Sequence, residues 1–530
     1  MTPLNIKDLL LAPRLDPQQV AALLGPYGFK EPVKADANLQ AMADDPSARQ
    51  LLAGILEELL DNVSQSADPD QALNYFERFT RAAASNIHLF SYFKESPRTL
   101  EILAKTFGGS PYMADILIRD PHYLYWVTDP QILSSVRKKR EIQRELARAL
   151  KTLTDEQKQL DYLRVLKRRE MLQIGVRDLL RLSSVEETLA ALSTLAEALI
   201  SAAYWICASA LRREYGIPRK AFGGFTILGM GKLGGGELNF SSDVDLIYLY
   251  ASDQEEVVTA RAAADAATIS ASEYFRRLCQ KITVALSDFT GEGYVYRVDL
   301  RLRPEGKAGA IAYSLDGFER YYQTRGETWE RLALLKAWPV AGDRALGQRF
   351  LEMARPFVYD RPFDLRALEE VRGIKRKIDH KMTIRQQRLR NVKLGTGGIR
   401  EIELIAQALQ VCHGGQTPQI CERNTMKALS ALRDQSLISA EERDTLAQAY
   451  VFLRDVENKL QMVNDAQTHS LPSEVGELTA CARRLGYSDD DHAAATEQFR
   501  RDYQRHTSQV NRIFAAVFGA SESKRFSQST

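Results

Sequence analysis

Strand-forming segments are confined to one part of this sequence, between about residues 222 and 345, with helix-forming segments on both sides. Phe225–Gly229 is a short apolar run, and Asp243–Tyr250 alternates with β-branched and aromatic residues, as strands do. Gly293–Arg303 alternates in the same way, and the pattern at Ala260–Phe289 predicts a helix between the two. This distribution predicts an α+β fold that is mainly helical and has one compact core of strands.

The rest of the chain has the periodicity of helices. Apolar residues recur at three- and four-residue spacing from Pro46 to Lys105, and again between residues 161 and 213 and after Arg355. The longest uncharged apolar stretch, Ala198–Leu211, would span about 21 Å as a helix, which is short of the roughly 30 Å of a bilayer core. We therefore expect a buried helix and no membrane association.

Turn-rich breaks divide the chain into predicted domains. We expect an N-terminal helical region over residues 1–105, a central domain with the strands and helical insertions over 106–350, and a C-terminal helical bundle over 351–518. The Ser-rich residues 519–530 are predicted to form a disordered tail.

Charge and cysteine content exclude several classes of protein. The 530 residues carry 71 Lys and Arg against 69 Asp and Glu, a net charge of +2, whereas proteins that bind nucleic-acid phosphates usually have a clear basic surplus. The five cysteines are scattered without a Cys-x-x-Cys pair, which argues against disulfides or structural zinc and predicts a reducing, cytoplasmic location.

Paired carboxylates are the strongest chemical signal. Asp243 and Asp245 follow a glycine cluster and lie two residues apart in a predicted strand, so they face the same side, with Val244 and Leu246 buried opposite. Asp299 stands in the next predicted strand. Neighbouring carboxylates repel each other unless a cation lies between them, and hard oxygen ligands suit Mg²⁺. The three residues therefore predict a catalytic metal site for phosphoryl or nucleotidyl transfer.

The neighbouring residues fit phosphate binding. Arg301 and Arg303 alternate with Asp299 and Arg297 on one predicted strand face, where guanidinium groups could bind phosphate oxygens. Gly234 and Gly235 would let backbone N–H groups approach a phosphate closely. The predicted nucleotide- and phosphate-binding set consists of Lys232, Gly234, Gly235, Ser242, Arg301 and Arg303.

These residues carry a family resemblance. The apolar-Gly-Gly turn, the Asp-apolar-Asp strand and the later apolar-Asp-apolar strand resemble the polymerase-β-like nucleotidyltransferase superfamily. The string Gly229–Tyr248 (GMGKLGGGELNFSSDVDLIY) resembles one family within it, the bifunctional glutamine synthetase adenylyltransferase and adenylyl-removing enzyme. Further similar strings lie at Phe107–Pro121, Lys167–Leu180, Tyr296–Pro304, Thr328–Lys336, Lys393–Gln407 and Phe452–Pro472, so the resemblance covers about residues 90 to 520.

The resemblance implies a nucleotidyltransferase core in the central domain, with flanking helical domains, and a specific half of the enzyme. Family members carry two related halves, each with an Asp-x-Asp site, and this chain has one such site. The order of segments, Gly397–Glu403 and the Gln-Thr-His-Ser-Leu-Pro string resemble the N-terminal half. That half removes AMP from a tyrosine of glutamine synthetase by phosphorolysis and so regulates nitrogen assimilation. The resemblance implies Mg²⁺ as the cofactor, bound by the three aspartates. It also implies phosphate and ADP or ATP as the small-molecule substrates or products, and the P-II signal protein as a partner.

Alternatives remain open from the residues. The same carboxylates would serve ATP-dependent adenylylation of glutamine synthetase, and the chain could be a P-II-binding regulatory module with little activity. A nucleic-acid polymerase or tRNA nucleotidyltransferase fits the balanced charge less well. Glu401 and Glu403 either complement the dipole of the helix in whose first turn they lie or, with Arg400, support the site. The nine Lys or Arg from Arg372 to Lys393 either form a solvated face or bind an anion.

Overall fold

The computed structural model describes residues 5–12, 15–43, 45–215, 217–218, 224–253, 256–258, 269–363, 365–381, 389–489, 494–519 and 523–526. Contacts divide the chain into two compact units. The first comprises Met1–Val136, Arg168–Thr188 and Asp455–Asp502, and the second comprises Arg137–Lys167, Leu189–Arg454 and Tyr503–Thr530. Both units are therefore discontinuous in sequence, and four of the division points fall within long helices.

Among the residues that the structure describes, the helices and strands assigned to the first unit are all helices. Its aromatic core joins Phe76, Phe93 and Phe107, with ring centroids 5.0 Å apart for Phe76 and Phe107. Its helices are Asp8–Leu11, Pro17–Leu24, Pro32–Met42, Pro46–Ser64, Pro69–Ala82, Asn86–Glu95, Arg98–Gly109, Pro111–Arg119, Tyr123–Val127, Pro130–Ser134 and Val475–Arg484, with a 3₁₀ turn at Gly25–Tyr27.

Several of these helices begin at an aspartate followed by proline. Asp45 precedes Pro46, and its carboxylate accepts hydrogen bonds from the backbone N–H groups of Ser47 and Ala48. Proline at the first helical position loses no hydrogen bond, and the aspartate satisfies donors that the helix leaves open. The same pair, Asp then Pro, begins the helix Pro69–Ala82.

Helices of the second unit surround a small sheet. They are Lys139–Thr152, Gly231–Gly235, Ala271–Ser287, Leu315–Thr324, Thr328–Leu334, Arg344–Arg355, Leu365–Lys381, Ile399–His413 and Thr425–Asp434, with short turns at Pro356–Asp360, Pro418–Ile420 and Ser523–Phe526. The helices Glu156–Leu179, Val185–Tyr215, Ala440–Gln461 and Ala495–Phe518 contribute residues to both units.

The sheet that carries the candidate site is mixed. Its strands are β2 (Phe225–Gly229), β3 (Val244–Tyr250), β6 (Val298–Asp299), β7 (Ala312–Ser314) and β8 (Trp338–Gly342). β3 and β8 pair antiparallel with β2, while β6 and β7 pair parallel with successive parts of β3. Three further short strands, β1 (Ile217–Pro218), β4 (Glu256–Val258) and β5 (Ile269–Ser270), form a separate sheet.

Stacked aromatic rings attach the sheet to helices. Phe225 stacks between Tyr204 and Phe275 with centroids 5.5 Å apart on each side, and Phe275 continues to Tyr250 at 5.0 Å. Tyr204 belongs to the helix Val185–Tyr215, which is long and apolar enough to cross a membrane, yet 67% of its most apolar window is buried inside the protein. The expectation of a buried helix at Ala198–Leu211 is confirmed.

The mainly helical α+β class is confirmed, but one predicted strand is mostly wrong. Only Val298–Asp299 of the predicted strand Gly293–Arg303 is strand. The backbone N–H of Arg301 donates to the Asp299 carboxylate at 2.8 Å instead of extending the ladder, and the chain turns there. Arg297, Arg301 and Arg303 therefore do not alternate along one strand face.

The tail predicted to be disordered contains a short packed turn. Ser523–Phe526 is a 3₁₀ turn, and the Phe526 ring is buried 5.8 Å from the ring of Phe518. This turn falls within the stretch predicted to be a disordered tail, and disorder of residues 519–530 as a whole stays a prediction. Residues 520–522 and 527–530 lie outside the described residues.

Candidate active site

A glycine turn leads from β2 to the carboxylates. The short helix Gly231–Gly235 follows β2, and the backbone N–H of Met230 donates to the carbonyl of Asp245 at 2.8 Å. Gly231 has φ +51°, and a Cβ there would lie 2.8 Å from Oδ2 of Asp245. Glycine at this position thus satisfies a left-handed backbone and leaves room for the carboxylate. Sequence reasoning missed Gly231, although it lies inside the family-like string.

Asp245 and Asp299 lie side by side on parallel strands. The register of β3 and β6 pairs Val244 with Val298 and Asp245 with Asp299. Burial and the negative charges of Asp299 and Asp243 together raise the pKa of Asp245 to about 6, against the opposing charges of Lys393 and Arg301. Val244 and Leu246 are fully buried, as predicted. The arrangement concentrates negative charge in a partly buried position.

Asp243 is the third carboxylate, and it pairs with an arginine. It precedes the first residue of β3, and its Oδ1 accepts a hydrogen bond from Nε of Arg297 at 2.6 Å. The same guanidinium donates to the Ser241 carbonyl at 2.8 Å and to the Tyr294 hydroxyl at 2.8 Å. Arg297 therefore joins the segment before β3 to the segment before β6 and neutralises one carboxylate of the cluster.

Arg301 and Arg303 have different partners. Nε of Arg301 donates to both carboxylate oxygens of Asp299, at 3.0 and 2.8 Å. Although burial pushes the pKa of Asp299 upward, hydrogen bonds from Arg301 lower it overall. Arg303 instead donates to the carbonyls of Leu300 at 2.7 Å and Ala310 at 2.9 Å. The structure brings Arg301 to the carboxylates and engages Arg303 with a loop.

The predicted glycine and lysine contacts have a structural explanation of their own. Gly234 and Gly235 lie in the short helix, not in a turn that precedes one. A Cβ at Gly234 would lie 1.8 Å from the Lys336 carbonyl, so close packing requires glycine there. Lys232 lies in the same short helix, and the Ser242 hydroxyl accepts from the backbone N–H of Asn239 at 3.4 Å. Phosphate binding by these residues stays a prediction.

A buried lysine links the glycine turn to a later helix. Nζ of Lys336 donates to Glu237 at 2.8 Å, to Glu403 at 3.1 Å and to the Thr425 hydroxyl at 3.1 Å. Despite burial, the two carboxylates raise the pKa of Lys336 above its ordinary range, and Lys336 holds the pKa of Glu403 well below its own. Glu237 follows the glycine turn directly, so this network fixes the turn.

The residues at the start of Ile399–His413 have separate roles. Glu403 accepts from Arg400 at 3.3 Å as well as from Lys336, and it is buried. Glu401, also buried, accepts from Asn511 at 3.2 Å. Of the three predicted supporting residues, Glu403 and its partner Arg400 therefore connect to the turn through Lys336. In the basic stretch before them, residues 382–388 lie outside the described residues.

Further contacts hold the same turn, and sequence reasoning assigned none of them. Arg454 is fully buried and donates to the Glu237 carbonyl at 2.5 Å and also to the Asn239 side chain. The Ser193 hydroxyl accepts from the backbone N–H of Leu238 at 2.9 Å. Arg454 and Lys336 both occur in family-like strings, which was the available signal; their partners are far away in sequence.

The donor chemistry fits Mg²⁺, although the carboxylates are turned toward arginines. Within the residues that the structure describes, no three His, Cys, Asp or Glu side chains are gathered closely enough to hold a metal ion. Asp243 and Asp299 are instead paired with Arg297 and Arg301. Asp245, whose raised pKa reflects like charges and burial, is the carboxylate that a cation would stabilise most.

Two family models match this chain. A model described as glutamate-ammonia ligase adenylyltransferase matches residues 100–353, which include the glycine turn and all three aspartates. A model described as GlnD PII-uridylyltransferase matches residues 372–518. The two matches together extend over most of the span in which family-like strings occur.

Three curated relatives that match this chain are each named bifunctional glutamine synthetase adenylyltransferase/adenylyl-removing enzyme. The relative from Nitrosococcus oceani is 38% identical over 425 residues, which is 79% of this chain and 43% of the relative. The relative from Thioalkalivibrio sulfidiphilus is 39% identical over 79% of this chain and 42% of its own length. The relative from Xanthomonas campestris pv. campestris strain B100 is 44% identical over 59% of this chain and 33% of its own length. This chain spans about two fifths of the length of the first two relatives.

Proposed function

We propose that this chain removes AMP from adenylylated glutamine synthetase by phosphorolysis, because residues 100–353 match the model of the glutamate-ammonia ligase adenylyltransferase family. The register pairing of Asp245 with Asp299, with Asp243 two residues before Asp245, is the observation that carries the proposal. Carboxylates on neighbouring strands can hold the metal ions that stabilise the attacking and leaving oxygens in nucleotidyl transfer.

The proposed reaction is a displacement at the AMP phosphorus. An oxygen of inorganic phosphate forms a bond to phosphorus, and the bond from phosphorus to the tyrosine oxygen breaks. The tyrosine oxygen takes the proton carried by hydrogen phosphate, so the products are free tyrosine and ADP. Phosphate is already a competent nucleophile, and no activated serine or cysteine is needed.

Asp243, Asp245 and Asp299 would hold Mg²⁺ in this reaction. A bound Mg²⁺ neutralises phosphate charge and orients the reacting oxygens. Arg301, whose side chain is 66% exposed, lies on Asp299 and can bind a phosphate oxygen by a small change of rotamer. Arg297, on Asp243, holds the two carboxylate segments together while the substrate binds.

Removal of AMP is favoured over its attachment by features of the sequence. The chain has one Asp-x-Asp site within an apolar strand, and Gly397–Glu403 and the Gln-Thr-His-Ser-Leu-Pro segment resemble the adenylyl-removing half. The Lys393 charge acts on Asp245, and this nearby cation supports the binding of an incoming phosphate.

Incubation with adenylylated glutamine synthetase tests this function. We expect ADP release that requires both Mg²⁺ and phosphate and that is abolished in a folded Asp243→Asn variant. The same protein with unmodified glutamine synthetase and labelled ATP should transfer little AMP. Efficient transfer from ATP without phosphate-dependent release would instead assign this chain to adenylylation.

We also propose that a P-II signal protein binds this chain. The match of residues 372–518 to a PII-uridylyltransferase model supports the proposal. Titration of the chain with purified P-II, followed by calorimetry, should give a saturable signal. Binding that alters the rate of ADP release would indicate regulation, whereas an absence of heat at micromolar concentrations would count against P-II as a partner.

A further inference from the structure

A solvent-exposed aromatic residue stands in the turn between the helix Ala271–Ser287 and β6. Phe289 is 77% exposed, and Val284, in the last turn of that helix, is 59% exposed. Phe289 packs against the Tyr294 ring with centroids 6.1 Å apart. Phe289 is the most exposed of the large apolar side chains in the described part of the chain, and an exposed ring packed on a second ring offers an apolar surface to another molecule.

This turn is held by hydrogen bonds. The backbone N–H groups of Val295 and Tyr296 both donate to the Leu286 carbonyl, at 3.0 and 2.8 Å. The buried Arg164 donates to the Asp288 carbonyl at 3.3 Å, and Thr290 and Gly293 exchange backbone hydrogen bonds. Phe289 is thus presented by an ordered backbone, so binding a partner through it would cost little conformational entropy.

A chain of three contacts joins Phe289 to the carboxylates. The Phe289 ring meets the Tyr294 ring, the Tyr294 hydroxyl accepts from Arg297 at 2.8 Å, and Arg297 donates to Asp243 at 2.6 Å. The exposed turn therefore borders the candidate active site. A macromolecule whose modified side chain reaches Asp243 is therefore in a position to contact this turn.

We propose that Phe289 and Tyr294, with Val284 in the preceding helical turn, form an apolar lip that docks the protein substrate around its nucleotidylated residue. This inference rests on the proposed function. The partner is a folded protein that presents an anionic phosphodiester within an apolar surface segment. The phosphodiester complements the partly exposed guanidinium groups of Arg297 and Arg301, and the apolar segment covers Phe289. An aromatic anchor beside a charged site is the composition of an interface hot spot.

A Phe289→Ala variant with two substrates tests the lip. The variant should fold, because most of the side chain is in solvent. With adenylylated glutamine synthetase, we expect KM to rise about tenfold and kcat to stay unchanged, as expected for the loss of a hot-spot side chain. With a short adenylyl-tyrosine peptide, which cannot cover the lip, both constants should match the wild type. Trp205→Ala, an exposed aromatic outside this turn, is the matched control and should behave as wild type with both substrates.

Direct binding separates this inference from the proposed function. The affinity of adenylylated glutamine synthetase for the wild type and for Phe289→Ala, measured by interferometry without phosphate, should also differ about tenfold. If neither substrate releases ADP, the proposed function fails and the binding measurement still decides the lip. Equal affinities, an equal loss with the peptide, or a concentration-dependent dimer that disappears in the variant would overturn the lip as a substrate-docking surface.

Discussion

Asp245 and Asp299 are register partners in the parallel pair of β3 and β6, yet their acidities are pushed in opposite directions. Burial and like charges raise the pKa of Asp245 to about 6, whereas hydrogen bonds from Arg301 lower that of Asp299 below its ordinary value. Two neighbouring carboxylates that differ in this way are typical of sites where one group must release or exchange its proton when a cation or substrate arrives.

Asp245→Asn is expected to stabilise the metal-free protein at pH 7.5. The raised pKa means that ionised Asp245 opposes folding, fully above about pH 6 and hardly at all below about pH 4. Removing the charge should therefore increase the free energy of unfolding by on the order of 1 to 2 kcal/mol at pH 7.5, because solvent screens part of the effect at this partly exposed group. Thermal unfolding between pH 4 and 8 measures the effect.

Mg²⁺ should reverse the order of thermal stability between the wild type and Asp245→Asn. Millimolar Mg²⁺ should raise the Tm of the wild type, because the cation relieves the repulsion, and should leave Asp245→Asn almost unchanged. Asp444→Asn, an exposed carboxylate beside Arg443, is the control and should respond as wild type. An equal Mg²⁺ response in all three proteins would contradict a metal site at Asp245.

Arg301 and Arg303 should differ when each is replaced by alanine. Arg301 donates a hydrogen bond to the Asp299 carboxylate, and its loss should lower kcat/KM for phosphate. The expected decrease corresponds to an activation free energy that is higher by about 2–4 kcal/mol, as for other electrostatic catalytic groups. Arg303 holds the carbonyls of Leu300 and Ala310, so its loss should mainly loosen that loop. Steady-state kinetics and proteolysis of the loop distinguish the two outcomes.

Arg325→Ala serves as the control for both variants. Arg325 is exposed and pairs with Glu305 only at the surface, so activity should persist. Similar kinetic losses for Arg301→Ala and Arg303→Ala would mean that both guanidinium groups meet phosphate, as the sequence alone predicted.

Lys336→Met should destabilise the protein strongly. Lys336 is buried between Glu237 and Glu403, and its removal would leave two carboxylates without their shared cation. Breaking a buried pair in this way costs about 3–5 kcal/mol. Urea unfolding at pH 7.5 should report the loss, while Lys281→Met, whose partly exposed ammonium pairs with Glu156, should cost less than about 1 kcal/mol. Equal losses of unfolding free energy in the two variants would mean that Lys336 does not stabilise the buried carboxylates of Glu237 and Glu403.

Glu330→Gln should change how stability depends on pH. Burial raises the pKa of Glu330 to about 7, and its carboxylate accepts from the Glu327 backbone at 2.9 Å and from the Tyr321 hydroxyl at 3.2 Å. Below about pH 4.5 the Glu330 side chain is protonated in both the folded and the unfolded protein, and its full contribution to the free energy of unfolding is present. That contribution is lost as the pH rises through 7. The glutamine amide keeps both hydrogen bonds. The free energy of unfolding of the variant should therefore exceed that of the wild type by about 1–3 kcal/mol at pH 8 and should equal it at pH 4.5.

Calorimetry at several pH values checks this prediction, with the exposed Glu319→Gln as the control. A stability difference between Glu330→Gln and wild type that is constant from pH 4.5 to 8 would show that Glu330 does not titrate in this range.

Local patterns in the sequence predicted the part of the site that local forces determine. The alternation around Asp243–Leu246 placed Val244 and Leu246 in the core and the carboxylates on the other face. The same alternation failed after Asp299. There, a side-chain carboxylate captures the N–H of Arg301, and this local competition for a hydrogen bond does not appear in a pattern of apolar and polar residues.

Contacts between distant residues account for what the sequence could not predict. Lys336 meets Glu237 across 99 positions and Glu403 across 67. A glutamate in a glycine-rich loop and a lysine after a helix each look like surface residues, and only the assembled fold makes them a buried pair. Gly234 was assigned to phosphate for its backbone freedom, whereas the Lys336 carbonyl beside it explains the absence of a side chain.

The hydrogen bond from Arg454 to the Glu237 carbonyl spans 217 positions, and this has a consequence for synthesis. At about 5–20 residues per second, a ribosome needs on the order of 10 to 40 seconds to proceed from the carboxylate strands to the arginine that fastens the segment before them. During that interval the nascent chain carries an acidic cluster whose supporting turn is incomplete. Chaperones that act on emerging chains would therefore meet this protein at its most vulnerable in the middle of translation.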